Sequence, residues 1–147
     1  MIKYMNLIGI KARKASEYKV TTEVKNKVLN DYAKLIKNEK KFIINQNSKD
    51  INYARKKGLK ENLIKRLHLN ENKLDGIINS ILKIAKLRDP IDSTLEKWKR
   101  PNGLNIKRVS IPIGVIGVIY ESRPNVTSDV ASLCFKSGNV VILKGGS

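Results

Sequence analysis

The sequence predicts an α/β fold, in which a helical N-terminal region is followed by a β-hairpin and then by one βαβ unit. Up to about residue 88, apolar side chains recur at the spacing of an α-helix. After Asp89-Pro90 the pattern changes to short extended segments bounded by turn residues. Two continuous apolar runs, at 115–120 and 140–143, flank an amphipathic stretch. We therefore expect three parts, at 1–88, 89–112 and 113–147.

The first part reads helical throughout, and three helices can be named within it. The first has Thr21 or Thr22 as its cap, and the apolar residues at helical spacing are Val24, Val28, Tyr32, Leu35 and Ile36. A short helix begins at Ser48 or Asp50 and ends at Gly58. Asn70 caps the third helix, whose apolar stripe consists of Leu74, Ile77, Ile78, Ile81, Leu82 and Ala85.

The second and third parts read as strands joined by turns and one helix. Segments 95–100 and 104–110 are separated by Pro101-Asn102-Gly103, a turn sequence that predicts a hairpin. The apolar runs predict two strands, each buried on both faces. Between them we expect a loop at 121–126 and a helix that Thr127 caps and Gly138 ends. The apolar face of this helix consists of Val130, Ala131, Cys134 and Phe135.

The net charge of +17 raises the alternative of a basic module that binds nucleic acid or an anionic surface. However, 23 of the 30 basic residues are Lys, and they are scattered along the chain. Arg, the better reader of phosphate and bases, is scarce, and aromatic residues make up only 5%. The many Lys, Asn and Ile residues share A/T-rich codons, so genomic nucleotide bias explains the charge. We expect neither a nucleic-acid nor a membrane partner.

The rest of the composition limits the cellular compartment and the disulfide or metal sites that can be expected. No apolar run approaches the ~20 residues that span a bilayer, and the N-terminus does not read as a secretory signal. The only cysteine is Cys134, which excludes an internal disulfide framework and a cysteine-based zinc site. We expect a cytoplasmic protein without a metal.

Candidate chemistry lies where the two predicted strands end, because ligands of doubly wound sheets bind beyond the carboxyl ends of the strands. The first end is YESRPN at 120–125, and the second is KGGS at 144–147. Neither a G-x-G-x-x-G fingerprint nor a P-loop is present. A nucleotide at this position is therefore not held by the usual glycine-rich turn.

Two stretches carry a resemblance to a known family. They read RVSIPIGVIGVIYESRPNVT at 108–127 and ASLCFKSGNVVILKGGS at 131–147. Both resemble the signature region of the γ-glutamyl phosphate reductase family, within the aldehyde dehydrogenase superfamily. Asp89-Pro90 and RPNG at 100–103 match the family's approach to that region. The resemblance extends over the whole chain and is specific from about residue 89 onward.

The resemblance implies an aldehyde dehydrogenase-like fold with a Rossmann-like cofactor domain. It implies NADPH-dependent reduction of L-glutamyl 5-phosphate to L-glutamate 5-semialdehyde and phosphate, a step of proline biosynthesis. Family members are well over twice this length, so the rest of the cofactor domain and the catalytic domain with its nucleophilic cysteine are expected outside these residues. The hairpin at 89–112 is expected to protrude and join subunits of a homo-oligomer. An alternative is a relative that reduces another acyl donor. The loop ESRPN argues against it, since general aldehyde dehydrogenases have a Trp-Asn-Phe-Pro-like loop there.

The resemblance also assigns roles to residues at the strand ends. Asn125 is the expected oxyanion donor, and Arg123 is expected to attract the acyl phosphate. Lys144 is expected to contact the adenosine ribose or a 2′-phosphate, with Tyr120 and Ser122 along the cofactor. Three of them have a simpler reading: Asn125 as a turn residue, Arg123 as an ion-pair former and Lys144 as an exposed charge.

Three further residues stand out in the sequence without a predicted catalytic role. Cys134 lies on an apolar helix face, so we expect a core residue and not the nucleophile. His68 has no partner at metal-ligand spacing and is assigned no role. Trp98, in the hairpin, is expected to serve packing or a subunit contact.

Overall fold

The structure, a computed structural model, describes residues 2–121 and 123–145. Five helices come first: α1 (Ile2–Ser16), α2 (Thr22–Asn38), α3 (Lys40–Lys56), α4 (Glu61–Leu67) and α5 (Glu71–Lys86). They are followed by β1 (Thr94–Lys99), β2 (Asn105–Val109), β3 (Val115–Ile119), α6 (Pro124–Lys136) and β4 (Val140–Lys144). The predicted order of helices, hairpin and βαβ unit is confirmed. No helix among the described residues has the length and apolarity needed to cross a bilayer.

The main core lies where α2, α5 and α6 pack together. The stripe predicted on α5 faces this core, and Ile81 at its centre is 0% exposed. The helix begins as predicted, since Asn70 Oδ1 accepts a hydrogen bond of 2.9 Å from the Lys73 backbone amide. Lys136 of α6 is buried in the same region, where its ammonium donates to Asn26 and, over 2.9 Å, to the Ala85 carbonyl. This side chain therefore ties the three helices to one another.

The face that α2 buries overlaps only in part with the one that we predicted, since Ile36 is buried and Tyr32 packs against the core. Val24, Val28 and Leu35 are exposed, and the buried positions are Lys25, Leu29, Ala33 and Ile36. Moving the buried face by one residue rotates it by about 100°. On the buried face, an ion pair of 2.8 Å joins the Lys25 ammonium to Asp89, a residue 64 positions along the chain. Apolar spacing within α2 carries no information about that distant partner.

Helix α3 is longer than predicted. It begins at Lys40, and Ser48 lies inside it, with its hydroxyl donating to the Ile44 carbonyl over 3.0 Å. The hydroxyl of Ser48 is thus satisfied within a helix, so the residue does not mark a boundary here. The predicted end is confirmed, because Gly58 has a φ of 71° directly after the C-cap.

The predicted hairpin is confirmed. Strands β1 and β2 pair antiparallel, with Trp98 opposite Ile106, and form a sheet separate from that of the βαβ unit. Gly103 has a φ of 86° and donates to the Arg100 carbonyl over 2.9 Å, so the turn uses the freedom of glycine. Every residue of β1 is exposed, as are all but Ile106 in β2. The hairpin therefore has two open faces.

Strands β3 and β4 pair in parallel, with α6 as the connection between them. Two details differ from the prediction. Strand β3 is not buried on both faces: its residues alternate, and Ile119 is 86% exposed. Helix α6 begins at Pro124, three residues before the expected cap Thr127, because proline at the first helical position already has the required φ. Residues 124–126 thus belong to the helix and not to a loop.

Candidate functional site

The two strand ends meet at one edge of the small sheet. Ile119 is level with Lys144 in the parallel register, and the Tyr120 amide donates to the Lys144 carbonyl over 3.1 Å. The Tyr120 hydroxyl lies 2.5 Å from the Thr127 hydroxyl in the first turns of α6. A Cβ built on Gly145 would lie 3.9 Å from the same tyrosine oxygen. Tyr120 therefore lies between the start of α6 and the chain that follows β4.

Lys144 provides the positive charge at this edge. Its side chain is exposed, and its ammonium donates to the Gly145 carbonyl over 2.6 Å. An ammonium has three donors, so two remain for a ligand. Gly145 adds no side chain beside it, which leaves the backbone open to close approach. Ser122, the third residue predicted to contact a cofactor, lies outside the described residues.

The start of α6 holds the two residues predicted to meet substrate. Arg123 is the N-cap; its side chain makes no capping hydrogen bond and is exposed. Asn125 is the second residue of the helix, and its amide nitrogen donates to Asp129 Oδ2 over 3.2 Å. The amide has a second donor. The backbone amides at a helix start also favour an anion. The first turn of α6 can thus present several donors to a negatively charged oxygen.

Asn125 also lines a cavity of about 330 Å³ between α6 and the α4–α5 region. The other polar residues around this cavity are Arg66, Lys73, Ser80 and Asp129. Lys73 uses its ammonium on the carbonyls of Lys65 (3.3 Å) and His68 (2.5 Å), where α4 ends. Sequence reasoning missed this set, because three helices contribute it and no local motif marks it.

A second, more apolar cavity of about 610 Å³ lies alongside the first, and the two share Leu69, Ile77 and Pro124. Tyr32 of α2 lines it. Burial, and secondarily the charge of Asp129, raises the pKa of the Tyr32 phenol above its usual range. The phenol therefore remains neutral at physiological pH. The two cavities give α6 a polar flank and an apolar flank near its start.

The three residues without a predicted catalytic role lie on the buried side of α6, at the end of α4 and in the hairpin. Cys134 is 7% exposed, and burial raises the pKa of its thiol. Both features suppress thiolate chemistry. His68 is the C-cap of α4, and no group of three or more potential ligands for a metal occurs among the described residues. Trp98 is 40% exposed on β1.

Together these features define an α/β protein whose candidate site lies at the carboxyl edge of two parallel strands, beside a helix start. The relatives to which this chain is similar share one name. The chain is 46% identical over 145 residues to γ-glutamyl phosphate reductase of Halothermothrix orenii, covering 95% of this chain and 35% of that protein. It is 50% identical over 127 residues to the Brucella suis protein of the same name, covering 86% and 30%. No family model matches the chain.

Solved structures give the same result. The chain superposes on γ-glutamyl phosphate reductase of Thermotoga maritima with a TM-score of 0.87 and 41% identity, covering 92% of this chain and 33% of that one. For the Saccharomyces cerevisiae enzyme the TM-score is 0.91 at 33% identity, covering 96% and 36%. The resemblance drawn from the sequence is confirmed. The chain spans about one third of the length of the relatives it matches.

Proposed function

We propose that this chain forms the first part of the cofactor-binding domain of a γ-glutamyl phosphate reductase. The activity would be NADPH-dependent reduction of L-glutamyl 5-phosphate to L-glutamate 5-semialdehyde and phosphate, a cytoplasmic step of proline biosynthesis. The observation that carries the proposal is the shared edge at which Tyr120, Lys144 and the start of α6 come together. Similarity to reductases over nearly the whole chain supports the same conclusion.

The three parts of the chain would take different roles. Residues 1–88 would be the helical portion of the cofactor domain, and 113–147 its first βαβ unit. The hairpin at 89–112, with both faces exposed, would join subunits of a homo-oligomer. Its exposed Trp98 suits such a contact, since tryptophan supplies a large apolar area to interfaces.

The residues at the strand edge fit a dinucleotide. Lys144 offers an accessible ammonium to a ribose hydroxyl or a 2′-phosphate, and Gly145 leaves room beside it. Tyr120, held by Thr127, would lie along the cofactor, together with Ser122. NADPH supplies a hydride when bound. The chain's own contribution is to orient the dinucleotide and balance its charge.

The start of α6 would serve the acyl phosphate. Arg123, whose side chain is exposed, would attract the phosphate group. The free amide donor of Asn125 would stabilise the oxyanion that develops at the acyl carbon. The only thiol of these 147 residues is buried, so the attacking thiolate would come from other residues.

An NMR titration of the 147-residue chain with NADPH tests the proposal at the strand edge. Only weak binding is expected, because the chain spans about one third of the length of its relatives and supplies only part of the dinucleotide site. The shifts should lie at Tyr120, Lys144 and Gly145 and be weaker still with NADH. Lys144→Ala should lower the affinity by about fivefold, the loss of one charge-assisted contact. Lys107→Ala, which removes an exposed charge from the hairpin, is the matched control and should change nothing. Shifts that avoid the strand edge, or that survive Lys144→Ala unchanged, would contradict the assignment.

A further inference from the structure

The cavity beside Asn125 has residues of opposite charge in its lining. Arg66 supplies a guanidinium from α4, and Asp129 supplies a carboxylate from α6. Lys73 gives two of its three ammonium donors to the end of α4, and Arg66 makes no side-chain hydrogen bond or ion pair with any described residue. The Arg66 side chain is exposed and therefore accessible. The cavity thus offers an uncommitted cation and an anion within one volume of about 330 Å³.

The carboxylate of Asp129 is held in place by two donors. The Ser80 hydroxyl donates to Oδ1 over 3.0 Å, and the Asn125 amide donates to Oδ2 over 3.2 Å. An ionised carboxylate accepts about four hydrogen bonds, so each oxygen keeps capacity for another donor. A ligand cation can therefore bind Asp129 without breaking either contact. Ser80 then acts as a positioning residue for Asp129.

This combination favours a ligand that carries charges of both signs. Inorganic phosphate or a dicarboxylate would be attracted by Arg66 and Lys73 but would leave the carboxylate of Asp129 without a cationic partner. A simple amine would be attracted by Asp129 but repelled by Arg66. A ligand that carries both an anionic and a cationic group close together satisfies both residues, and the α-carboxylate and α-ammonium of an amino acid are such a pair.

We propose that this cavity binds the amino-acid end of the substrate, with Arg66 on the α-carboxylate and Asp129 on the α-ammonium. This inference rests on the proposed function, because Asn125 lines the same cavity and is the candidate donor at the reacting carbon. A glutamyl side chain would run from the charged pair toward the start of α6. Arg66, Ser80 and Asp129 would then set the specificity for an α-amino acid over other acyl phosphates.

The test is an NMR titration of the full 147-residue chain with L-glutamate, which is stable and carries both α groups. Glutarate lacks the ammonium, 4-aminobutyrate lacks the α-carboxylate, and inorganic phosphate is a bare anion. L-glutamate should shift the amides lining the cavity, at 66–80 and 124–129, with an affinity at least about fivefold above each of the other three compounds. Equal affinity for glutarate or phosphate, or the lack of saturable shifts with L-glutamate, would overturn the proposal.

Variants locate the binding. Arg66→Gln and Asp129→Asn should each weaken L-glutamate binding by about fivefold, and Asp129→Asn should also remove the preference over glutarate. Arg55→Gln and Asp31→Asn change exposed charges of the same kinds away from the cavity and should leave the affinity unchanged. The amide spectrum of each variant reports whether it is folded. Unchanged binding in a folded Arg66→Gln or Asp129→Asn chain would count against the inference.

Failure of this inference is distinguishable from failure of the reductase assignment. If NADPH shifts the strand edge and L-glutamate leaves the cavity unchanged, only the amino-acid subsite is wrong. If L-glutamate binds the cavity while NADPH leaves Tyr120 and Lys144 unaffected, the cofactor assignment is wrong and the amino-acid site stands.

Discussion

The helical core and the face of β3 use the same kind of residue with opposite outcomes. Ile81 on α5 is 0% exposed, whereas Ile119 on β3 is 86% exposed. Helix α5 buries its stripe against α2 and α6. Only alternate residues of strand β3 are partly buried, and Ile111 and Ile113 just before the strand are also exposed. An apolar pattern therefore predicts which side chains require burial, but not whether the packing partner lies within these residues.

The largest loss of folding stability is expected for a substitution in the helical core. Ile81→Ala should lower the free energy of unfolding by about 3–4 kcal/mol, since it removes buried methyl groups and leaves a cavity. Ile119→Ala, the same substitution at an exposed position, should change it by less than about 0.5 kcal/mol. Urea denaturation followed by circular dichroism measures both. Equal losses would show that β3 is packed in solution and that the comparison is wrong.

The next largest loss of folding stability is expected at the buried ion pair of α2. Asp89→Asn leaves the Lys25 ammonium buried without a counterion and should cost about 3 kcal/mol at neutral pH. Asp31→Asn removes a partner from an exposed pair with N···O at 3.8 Å and should cost no more than about 0.5 kcal/mol. If both variants are equally stable in urea, the buried pair contributes no more to folding stability than the exposed pair does.

The same pair predicts a pH dependence. Burial raises the pKa of Asp89, but the hydrogen bonds from Lys25, the Ile91 amide and Thr22 outweigh burial and lower it overall. A lowered folded-state pKa stabilises the fold above the unfolded value of about 4. This contribution is lost as the pH falls through the lowered pKa. The stability difference between wild type and Asp89→Asn should therefore shrink in acid, and a difference that stays constant down to about pH 2 contradicts this reading.

A smaller effect is expected at the start of α5. Asn70→Ala removes the side chain that accepts from the Lys73 amide and should cost about 1 kcal/mol. Asn72→Ala lies on the exposed side of the same helix and serves as the control, with a change of a few tenths of a kcal/mol. Thermal unfolding of the two variants measures the difference. Equal melting temperatures would indicate that packing alone determines where α5 begins.

The smallest change in folding stability is expected at the exposed face of β3. A substitution there should instead change the association between chains. Exposed apolar residues next to a strand promote association between chains. Ile119→Lys should therefore reduce self-association in sedimentation velocity without a measurable loss of folding stability. Val28→Lys places the same charge on another exposed apolar site, on α2, and should leave association unchanged. An equal reduction by both variants would trace the effect to net charge.

Much of the fold could be predicted because the signals are local. The Asn70 cap, the Gly58 helix end and the Pro101-Asn102-Gly103 turn each depend on neighbours within a few residues. The strand ends could be predicted too, since a βαβ unit brings them to one edge. The polar residues that line the cavity could not be predicted, because Arg66, Ser80 and Asp129 are brought together only when α4, α5 and α6 pack. The helical start at Pro124 was missed because ESRPN reads equally well as a loop.

By itself, the sequence determined the kinds of element, their order, most of the caps and turns, and the apolar stripe of α5. These depend on backbone preferences and on side-chain period, which act over one or two turns. Tertiary structure alone decided which face of α2 is buried, which side of β3 stays open, and which charges line the cavity at the start of α6. Those outcomes depend on residues far apart in the chain, such as Lys25 and Asp89 at a separation of 64 positions, and no local pattern encodes contacts at that range.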